Sequence, residues 1–274
     1  MSNDAFESRE IDASRPSAAR MYHYYLTGEA IFDVDRVFGE HIFQIAPSTG
    51  VTAHHNREFL QRATRFLIGQ GIRQFLDIGS GLPTAGNTHE VATALEPDTR
   101  VVYVDNDLEA VTRAHELLTE QDMLDRTAII EADLRWPDDI LGHADTRRLI
   151  DFDTPIGLLI VSVWPFIPDS ENPLGLMRRL RDALPSGSYV VMSHVSMSEA
   201  SPAVIAQARE FRELYKQTSD PVTMRDRDGF TAFFDGFELV EPGIAYVPDW
   251  RPDGPVDLQD PGRPCNFAAV GYKK

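Results

Sequence analysis

The sequence predicts an α/β fold: a mostly parallel sheet with an antiparallel strand near its edge and a helical cap at the N-terminus. Helical patterns fill the chain before residue 73, strands alternate with helices from residue 74 onward, and the last two strands are joined by a loop with no helical pattern. The 274 residues suit one large domain with a cap. We expect a cap over residues 1–72 and a sheet domain over 73–274 that together form one structural unit.

Three helices are predicted in the cap, over residues 16–26, 32–45 and 51–69. The third carries an apolar stripe at helical spacing, which includes Phe59 and Ala63. A stripe of this kind is typical of a helix that buries one face.

Seven strands are predicted in the rest of the chain. They cover residues 74–78, 100–104, 128–130, 156–163, 188–193, 237–240 and 265–272, and helices are predicted over 108–118, 174–184 and 202–215. The run 156–163 is almost continuously apolar, as expected for a parallel strand with helices on both faces of the sheet. The last two strands lack a crossover helix, which predicts an antiparallel pairing.

Composition limits the function. The chain has 26 Lys+Arg against 43 Asp+Glu, a formal charge of −17, which argues against a nucleic-acid or anionic-membrane surface. The longest apolar run, 156–167, is too short to cross a bilayer, and no signal peptide is visible at the start. We therefore expect a cytoplasmic protein. The single cysteine, Cys265, permits no internal disulfide and is expected to be a small buried hydrophobe.

Acidic residues and glycines follow the first four strands, where a doubly wound sheet binds its ligand. In chain order the candidates are Asp77, Gly79, Ser80 and Gly81 after the first strand, Asp105 and Asn106 after the second, Asp133 and Leu134 after the third, and Ser162 after the fourth. The bland interpretation is that the aspartates are turn and helix-cap residues. Three of them at the ends of three consecutive strands favour a binding site.

The glycines alone do not define the ligand. Gly79 and Gly81 would let the backbone approach a ligand closely, but a dinucleotide site would have a third glycine at Thr84. A carboxylate at Asp77 would also repel a pyrophosphate. A nicotinamide-dependent dehydrogenase is therefore the weaker alternative.

S-adenosylmethionine fits the three aspartates better, because it carries an ammonium, a ribose diol and an adenine but no phosphate. Asp77 would lie near the ammonium, Asp105 would accept from the ribose hydroxyls, and Asp133 would accept from the adenine amino group. Asp105 lies 24 residues beyond Gly81, close to the roughly 20 expected for an acidic ribose contact.

Several segments resemble the actinobacterial family of S-adenosylmethionine-dependent methyltransferases within the class I methyltransferase superfamily, whose substrates are largely unassigned. They are RPSAARMY (15–22), YLTG (25–28), QFLDIGSGLPT (74–84), NTHEVA (87–92), VVYVDND (101–107), ADLR (132–135) and FIPD (166–169). The resemblance covers nearly the whole chain. It implies a Rossmann-like class I methyltransferase fold, the S-adenosylmethionine cofactor and methyl transfer, but no substrate. We expect an unidentified small-molecule acceptor.

The sequence departs from the superfamily pattern in two places. Pro83 stands where the superfamily has its third glycine, and Trp164-Pro165 replaces an apolar residue and a histidine. A non-catalytic protein that keeps the cofactor pocket as a sensor is the alternative from a different functional class. Oligomeric state is not predicted, and no Asp/Glu/His set has metal-ligand spacing.

Two further groups are candidates. Tyr22 and Tyr25 are three residues apart on one face of the first helix, so they would either present rings to the sulfonium or pack the cap onto the sheet. His194 follows the fifth strand, where a neutral imidazole could accept a proton from the methyl acceptor. A lone histidine is more often a structural hydrogen-bonding group.

Overall fold

The computed structural model describes residues 11–274. The helices are α1 (Ala18–Thr27), α2 (Asp33–Ile45), α3 (Thr49–Gly69), α4 (Thr88–Leu95), α5 (Leu108–Glu120), α6 (Pro137–Gly142), α7 (Ala144–Leu149), α8 (Pro173–Ala183), α9 (Pro202–Tyr215) and α10 (Arg227–Thr231). The strands are β1 (Gln74–Ile78), β2 (Arg100–Asp105), β3 (Thr127–Glu131), β4 (Gly157–Val161), β5 (Tyr189–Val195), β6 (Glu238–Leu239), β7 (Ala245–Tyr246) and β8 (Asn266–Tyr272).

One sheet contains all eight strands, in the order β3-β2-β1-β4-β5-β8-β6, with β7 also paired to β8. Strands β1 to β5 are parallel, and β8 runs antiparallel to β5. The strand order reverses between β1 and β4, which is where doubly wound sheets open a crevice beyond the strand ends. The mostly parallel sheet and its antiparallel strand near the edge are confirmed.

The predicted count of seven strands corresponds to seven positions across the sheet. The short strands β6 and β7 both pair with β8, one opposite Gly271–Tyr272 and the other opposite Phe267–Ala268. They therefore lie one after the other along the same side of β8 and share one position at the edge of the sheet. The predicted strand over 237–240 shrinks to the two residues of β6, and β7 lies in the Pro/Gly/Asp-rich loop where no strand was expected.

The core has one layer on each face of the sheet. In β1, Leu76 and Ile78 pack into one layer and Phe75 into the other, as the two-residue period of a strand requires. The second layer also contains Phe59, Ala63 and other residues of α3. The apolar face of the third cap helix therefore packs on the sheet.

The cap has its own apolar cluster. It includes Met21 and Tyr25 from α1, Phe38 and Ile42 from α2, and two residues of α9, Phe211 and Tyr215. Helix α9 comes after the fifth strand, so the cap contains a segment far beyond residue 72. The division of the chain at residue 72 remains a prediction.

Other element boundaries differ for local reasons. Strand β4 ends at Val161, two residues earlier than predicted, because Ser162 adopts a left-handed backbone with φ of 60°. The helices α6, α7 and α10 have five or six residues, too few to show helical periodicity in the sequence. Within residues 11–274, no helix has both the length and the apolar character needed to cross a membrane.

Candidate functional site

A cavity of about 410 Å³ lies beyond the carboxyl ends of the parallel strands, between the sheet and the cap. Its volume is within the range of small-molecule sites. All eleven residues that the sequence predicts for the cofactor line this one cavity: Tyr22, Tyr25, Asp77, Gly79, Ser80, Gly81, Asp105, Asn106, Asp133, Leu134 and Ser162. The structure thus brings the predicted set together, while contact of each residue with a cofactor stays a prediction.

Asp77 lies at the floor of the cavity, near the end of β1. It is only 5% exposed, and one carboxylate oxygen accepts a hydrogen bond of 2.7 Å from the Thr88 hydroxyl. Burial raises the pKa of Asp77 to about 6. A buried carboxylate of this kind is stabilised when a cation arrives beside it.

Asp105 ends β2 and organises the neighbouring loops. Its two carboxylate oxygens accept hydrogen bonds from the backbone N–H groups of Gly81, at 2.7 Å, and Asp107, at 2.9 Å. Burial raises its pKa to about 6 as well. Each oxygen keeps a lone pair for a further donor, so two hydroxyls of a diol could bind here.

Glycine is required at positions 79 and 81 for different reasons. Both have left-handed backbones, with φ of 73° at Gly79 and 66° at Gly81. A Cβ at Gly79 would lie 2.3 Å from the Val163 side chain, so that glycine is required by packing inside the protein. A Cβ at Gly81 would meet no atom within 4 Å and would project into open space. Gly81 is therefore the one that leaves room for a ligand.

The third aspartate lies at the rim. Asp133 accepts a hydrogen bond from the Arg135 backbone at 2.8 Å and forms an ion pair with its guanidinium at 3.1 Å. The Asn106 amide donates to the other oxygen of Asp133 at 3.3 Å. Leu134 is buried beside them and supplies an apolar surface. This end of the cavity suits a flat ring that carries a hydrogen-bond donor.

Arg57 of α3 is a site residue that the sequence analysis missed. One guanidinium nitrogen donates to Thr84 and, at 2.9 Å, to the Asn87 amide oxygen. Its buried Nε and the buried hydroxyl of Ser80 have no hydrogen-bond partner among the described residues, and both side chains line the cavity. Since buried polar groups in proteins are normally satisfied, these two donors indicate a place for an anionic group of a ligand.

The roof of the cavity is aromatic. Tyr25 and Tyr215 join their hydroxyls at 2.9 Å, and Phe211 stacks on Tyr215 with 4.5 Å between ring centroids. Tyr25 is thus part of the cap's packing and of the cavity wall at once. Phe211 and Tyr215 were missed because they lie about 190 residues from Tyr25 in the sequence.

A chain of hydrogen bonds crosses the cavity floor from β4 to the cap. The hydroxyls of Ser162 and Ser193 are 3.3 Å apart, and Ser193 donates to the Asn56 amide oxygen at 2.6 Å. The Asn56 amide nitrogen donates to the Tyr22 hydroxyl at 3.0 Å, which donates to the Ala53 carbonyl at 3.1 Å. Asn56 was also missed, although a polar residue three positions before Phe59 on an apolar helix stripe is a signal for a buried polar role.

His194 is enclosed behind the cavity. It is fully buried and does not line the cavity, its Nδ1 contacts the Val195 carbonyl at 2.8 Å, and its Nε2 contacts the Arg225 guanidinium at 3.0 Å. Because Arg225 can only donate, Nε2 is the acceptor and the imidazole is neutral. Burial lowers the pKa of His194 to about 3. This arrangement argues against the general-base role that the sequence suggested and favours the structural one, since both ring nitrogens are already engaged.

Two smaller expectations concern metals and thiols. Within residues 11–274, no group of three or more His, Cys, Asp or Glu side chains is arranged to hold a metal ion. Cys265 is buried, as expected, and burial raises its pKa to about 11.

The fold and the cavity define a methyltransferase of the Rossmann-like class I type. A profile of the S-adenosyl methyltransferase family matches residues 4–274, nearly the whole chain. The chain therefore belongs to the S-adenosyl methyltransferase family, and S-adenosylmethionine is its cofactor. Comparison with curated proteins found no significant match.

Two solved structures from actinobacteria are similar over almost their full length. A candidate methyltransferase from Thermobifida fusca is 39% identical, with 96% of this chain and 97% of that chain covered and a TM-score of 0.88. A DUF574 family protein from Streptomyces avermitilis is 36% identical, with 97% and 100% covered and the same TM-score. Mitomycin 7-O-methyltransferase, at 17% identity and a TM-score of 0.51, covers 92% of this chain and 66% of its own and shares the fold alone.

The cavity fits this cofactor. The open space at Gly81, the buried carboxylates of Asp77 and Asp105, and the unpartnered donors of Arg57 and Ser80 offer complements to an amino-acid group and a ribose. No basic cluster faces Asp77 to balance a pyrophosphate, because the described lining residues include only two cations, Arg57 and Arg135.

Proposed function

We propose that the protein transfers the methyl group of S-adenosylmethionine to a small-molecule acceptor. The observation that carries this proposal is that Asp77, Asp105 and Asp133, from three consecutive strand ends, line one cavity under an aromatic roof. The cavity volume, about 410 Å³, favours a small acceptor. The chain's formal charge of −17 disfavours a nucleic-acid acceptor.

The cofactor-holding residues divide by chemistry. Asp77 would accept from the ammonium, and Arg57 and Ser80 would donate to the carboxylate of the same amino-acid group. Asp105 would accept from the ribose hydroxyls, with Gly81 and Asn106 beside it. Asp133 and Leu134 would bind the adenine, and the ring faces of Tyr22 and Tyr25 would lie toward the sulfonium.

Bound S-adenosylmethionine supplies an electrophilic methyl group on a sulfonium, which needs little acid–base assistance to leave. The chain's own residues would then contribute positioning and exclusion of water. The aromatic roof formed by Tyr25, Phe211 and Tyr215 covers the cavity. The buried carboxylates of Asp77 and Asp105 would hold the cofactor from the opposite side. His194 takes no part in this mechanism.

Turnover of methyl-labelled S-adenosylmethionine tests the proposal against a sensor that binds the cofactor without transferring it. The protein is incubated with labelled cofactor and a fractionated actinobacterial metabolite extract, and label is followed into new small molecules. Transfer that is lost in Asp105→Asn supports the proposal. Tight cofactor binding without transfer to any fraction would favour the sensor.

A further inference from the structure

We infer that the methyl acceptor is an uncharged amino group on a flat, apolar small molecule, and that Ser162 and Asn266 accept its N–H hydrogen bonds. This inference rests on the proposed function and specifies its substrate class. It concerns the half of the cavity over β4, β5 and β8, since the three aspartates lie at the ends of β1, β2 and β3.

The direction of the hydrogen-bond chain under the cavity is fixed by its last member. The Ala53 carbonyl can only accept a hydrogen bond, so the Tyr22 hydroxyl donates its proton to that carbonyl. The Tyr22 oxygen must therefore accept from Asn56. The Asn56 amide nitrogen therefore faces Tyr22, and its oxygen faces Ser193. Ser193 in turn must donate to Asn56.

Ser162 is left as an acceptor by this direction. With the Ser193 proton committed to Asn56, the 3.3 Å contact between the two serines can form only if Ser162 donates. The Ser162 oxygen then offers only lone pairs to the cavity that it lines. Its left-handed backbone, with φ of 60°, is unfavourable for a residue with a Cβ, and such strain is often found at functional sites.

Asn266 supplies a second acceptor. It begins β8 opposite Val195, both residues line the cavity, and Asn266 is 6% exposed. Its amide oxygen is buried and has no hydrogen-bond partner within residues 11–274. A buried oxygen without a donor is costly, so a ligand N–H or O–H at this position would be stabilising.

The charges on this side exclude an anionic acceptor. The only cations that line the cavity in the described chain are Arg57 at the glycine loop and Arg135, which is paired with Asp133 and Glu171. A carboxylate substrate would face two acceptor oxygens with no cation beside it. Asp220, which also lines the cavity, is itself negative.

Proton balance favours an amine over a hydroxyl. A hydroxyl nucleophile must lose its proton as the new bond forms, which requires a base. Neither the Ser162 hydroxyl nor the Asn266 amide is a base, and the Asp220 carboxylate accepts from the Ala18 N–H and the Ser219 hydroxyl through one oxygen, Oδ2, at the start of α1. Burial raises the pKa of Tyr22 and Tyr25, so neither tyrosine ionises readily. An uncharged amine attacks with its lone pair and keeps both N–H bonds during the step.

The step is balanced without a further reactant. The nitrogen lone pair forms the N–C bond while the C–S bond of the sulfonium breaks, and the sulfur keeps that electron pair as a thioether. The nitrogen becomes positively charged, which strengthens its hydrogen bonds to Ser162 and Asn266, and it then releases one proton to water. The walls formed by Phe166, Phe211 and Val222 suit a flat apolar body for this amine.

Three probes with the same ring test the inference: 1-naphthylamine, 1-naphthol and 1-naphthoate. Each is titrated by calorimetry into full-length protein saturated with S-adenosylhomocysteine. We expect 1-naphthylamine to bind at least 5-fold more tightly than either of the others. Stronger binding of 1-naphthol or 1-naphthoate, or no binding of any of the three, overturns the inference.

Two variants test whether Ser162 and Asn266 cause the preference for the amine. Ser162→Gly removes the hydroxyl and retains a residue that adopts the left-handed backbone freely, and Asn266→Ala removes the second acceptor. Each variant should weaken the binding of 1-naphthylamine about 3- to 10-fold, which is the effect of one lost hydrogen bond. Ser198→Ala, which removes a hydroxyl outside the cavity, should leave the affinity unchanged. Equal effects of all three variants would contradict the inference.

The first titration also separates this inference from the proposed function. If S-adenosylhomocysteine itself fails to bind, the proposed function fails. If it binds while the amine preference is missing, only the acceptor assignment is wrong.

Discussion

Asp77 and Asp105 are two carboxyl groups that folding buries, where water is scarce. Both have a pKa raised by burial to about 6, well above 3.8. The folded protein therefore holds protons on these groups that the unfolded chain has already released. A group with a raised pKa stabilises the fold below about pH 3.8, and that contribution is lost as pH rises through 6.

Asp77→Asn tests this at the residue scale. Asparagine keeps an acceptor for the Thr88 hydroxyl and has no charge to bury. Relative to the unmodified protein without ligand, the variant should gain on the order of 2 kcal/mol of unfolding free energy between pH 4 and pH 7.5. Urea unfolding at both pH values measures this, and a difference that is independent of pH would show that the Asp77 pKa is normal.

Asp105→Asn tests the ribose contact. The substitution replaces one carboxylate oxygen by an amide NH₂ group, which cannot accept a hydrogen bond. One acceptor oxygen then remains for the N–H groups of Gly81 and Asp107, and one acceptor for the diol is lost. We expect S-adenosylhomocysteine to bind at least 10-fold more weakly by calorimetry, because two buried hydrogen bonds are lost or reversed. Asp98→Asn is the control. Asp98 is a highly exposed carboxylate just before the start of β2, whereas Asp105 is at its end, so this variant should leave the affinity within 2-fold.

At the scale of elements, polar links join α1 to α2 and to the loop after β2. Arg20 of α1 pairs with Asp35 of α2 at 3.0 Å, and both are almost fully buried. Ser17, at the start of α1, donates to Asp107, which caps α5 next to the cavity. The order of α1 and α2 is thus coupled to the loop that follows β2.

Arg20→Ala should therefore destabilise the protein by about 3 to 5 kcal/mol, because it leaves Asp35 buried without its partner. Arg36→Ala, which removes an exposed arginine on α2 that pairs with Glu40, should change the unfolding free energy by less than about 1 kcal/mol. Urea unfolding of both variants gives the comparison. Equal destabilisation would mean that the buried pair contributes no more than an exposed one.

Elements were predictable where the signal is local. The apolar run of β1 ends at a glycine, and Asp107 caps α5 as its position before an apolar-periodic segment indicates. The chemistry that depends on distant contacts was not predictable. Arg57 lies in α3 with no motif around it, and the contact between Tyr25 and Tyr215 joins segments about 190 residues apart. The surroundings of His194 were not predictable either, because a position after a strand does not reveal which way a side chain faces.

The whole molecule encloses its cavity with parts from both ends of the chain. The strand ends of β1 to β4 form the floor, α1 to α3 supply one wall, and α9 completes the aromatic roof. The mostly parallel sheet and the grouping of the three aspartates could be predicted from sequence, because the carboxyl ends of parallel strands lie at the same end of the sheet. The aromatic roof could not be predicted, since the sequence of α9 is typical of an ordinary crossover helix.

Ligand-dependent thermal stability of the full chain tests the central claim most directly, that this cavity binds S-adenosylmethionine and not a dinucleotide. S-adenosylhomocysteine at about 100 times its dissociation constant adds roughly 2.7 kcal/mol to the folded state, which raises Tm by about 5 to 10 °C for a chain of this size. NAD and NADP at the same concentration should leave Tm unchanged. A rise in Tm with NAD or NADP and none with S-adenosylhomocysteine would contradict the account.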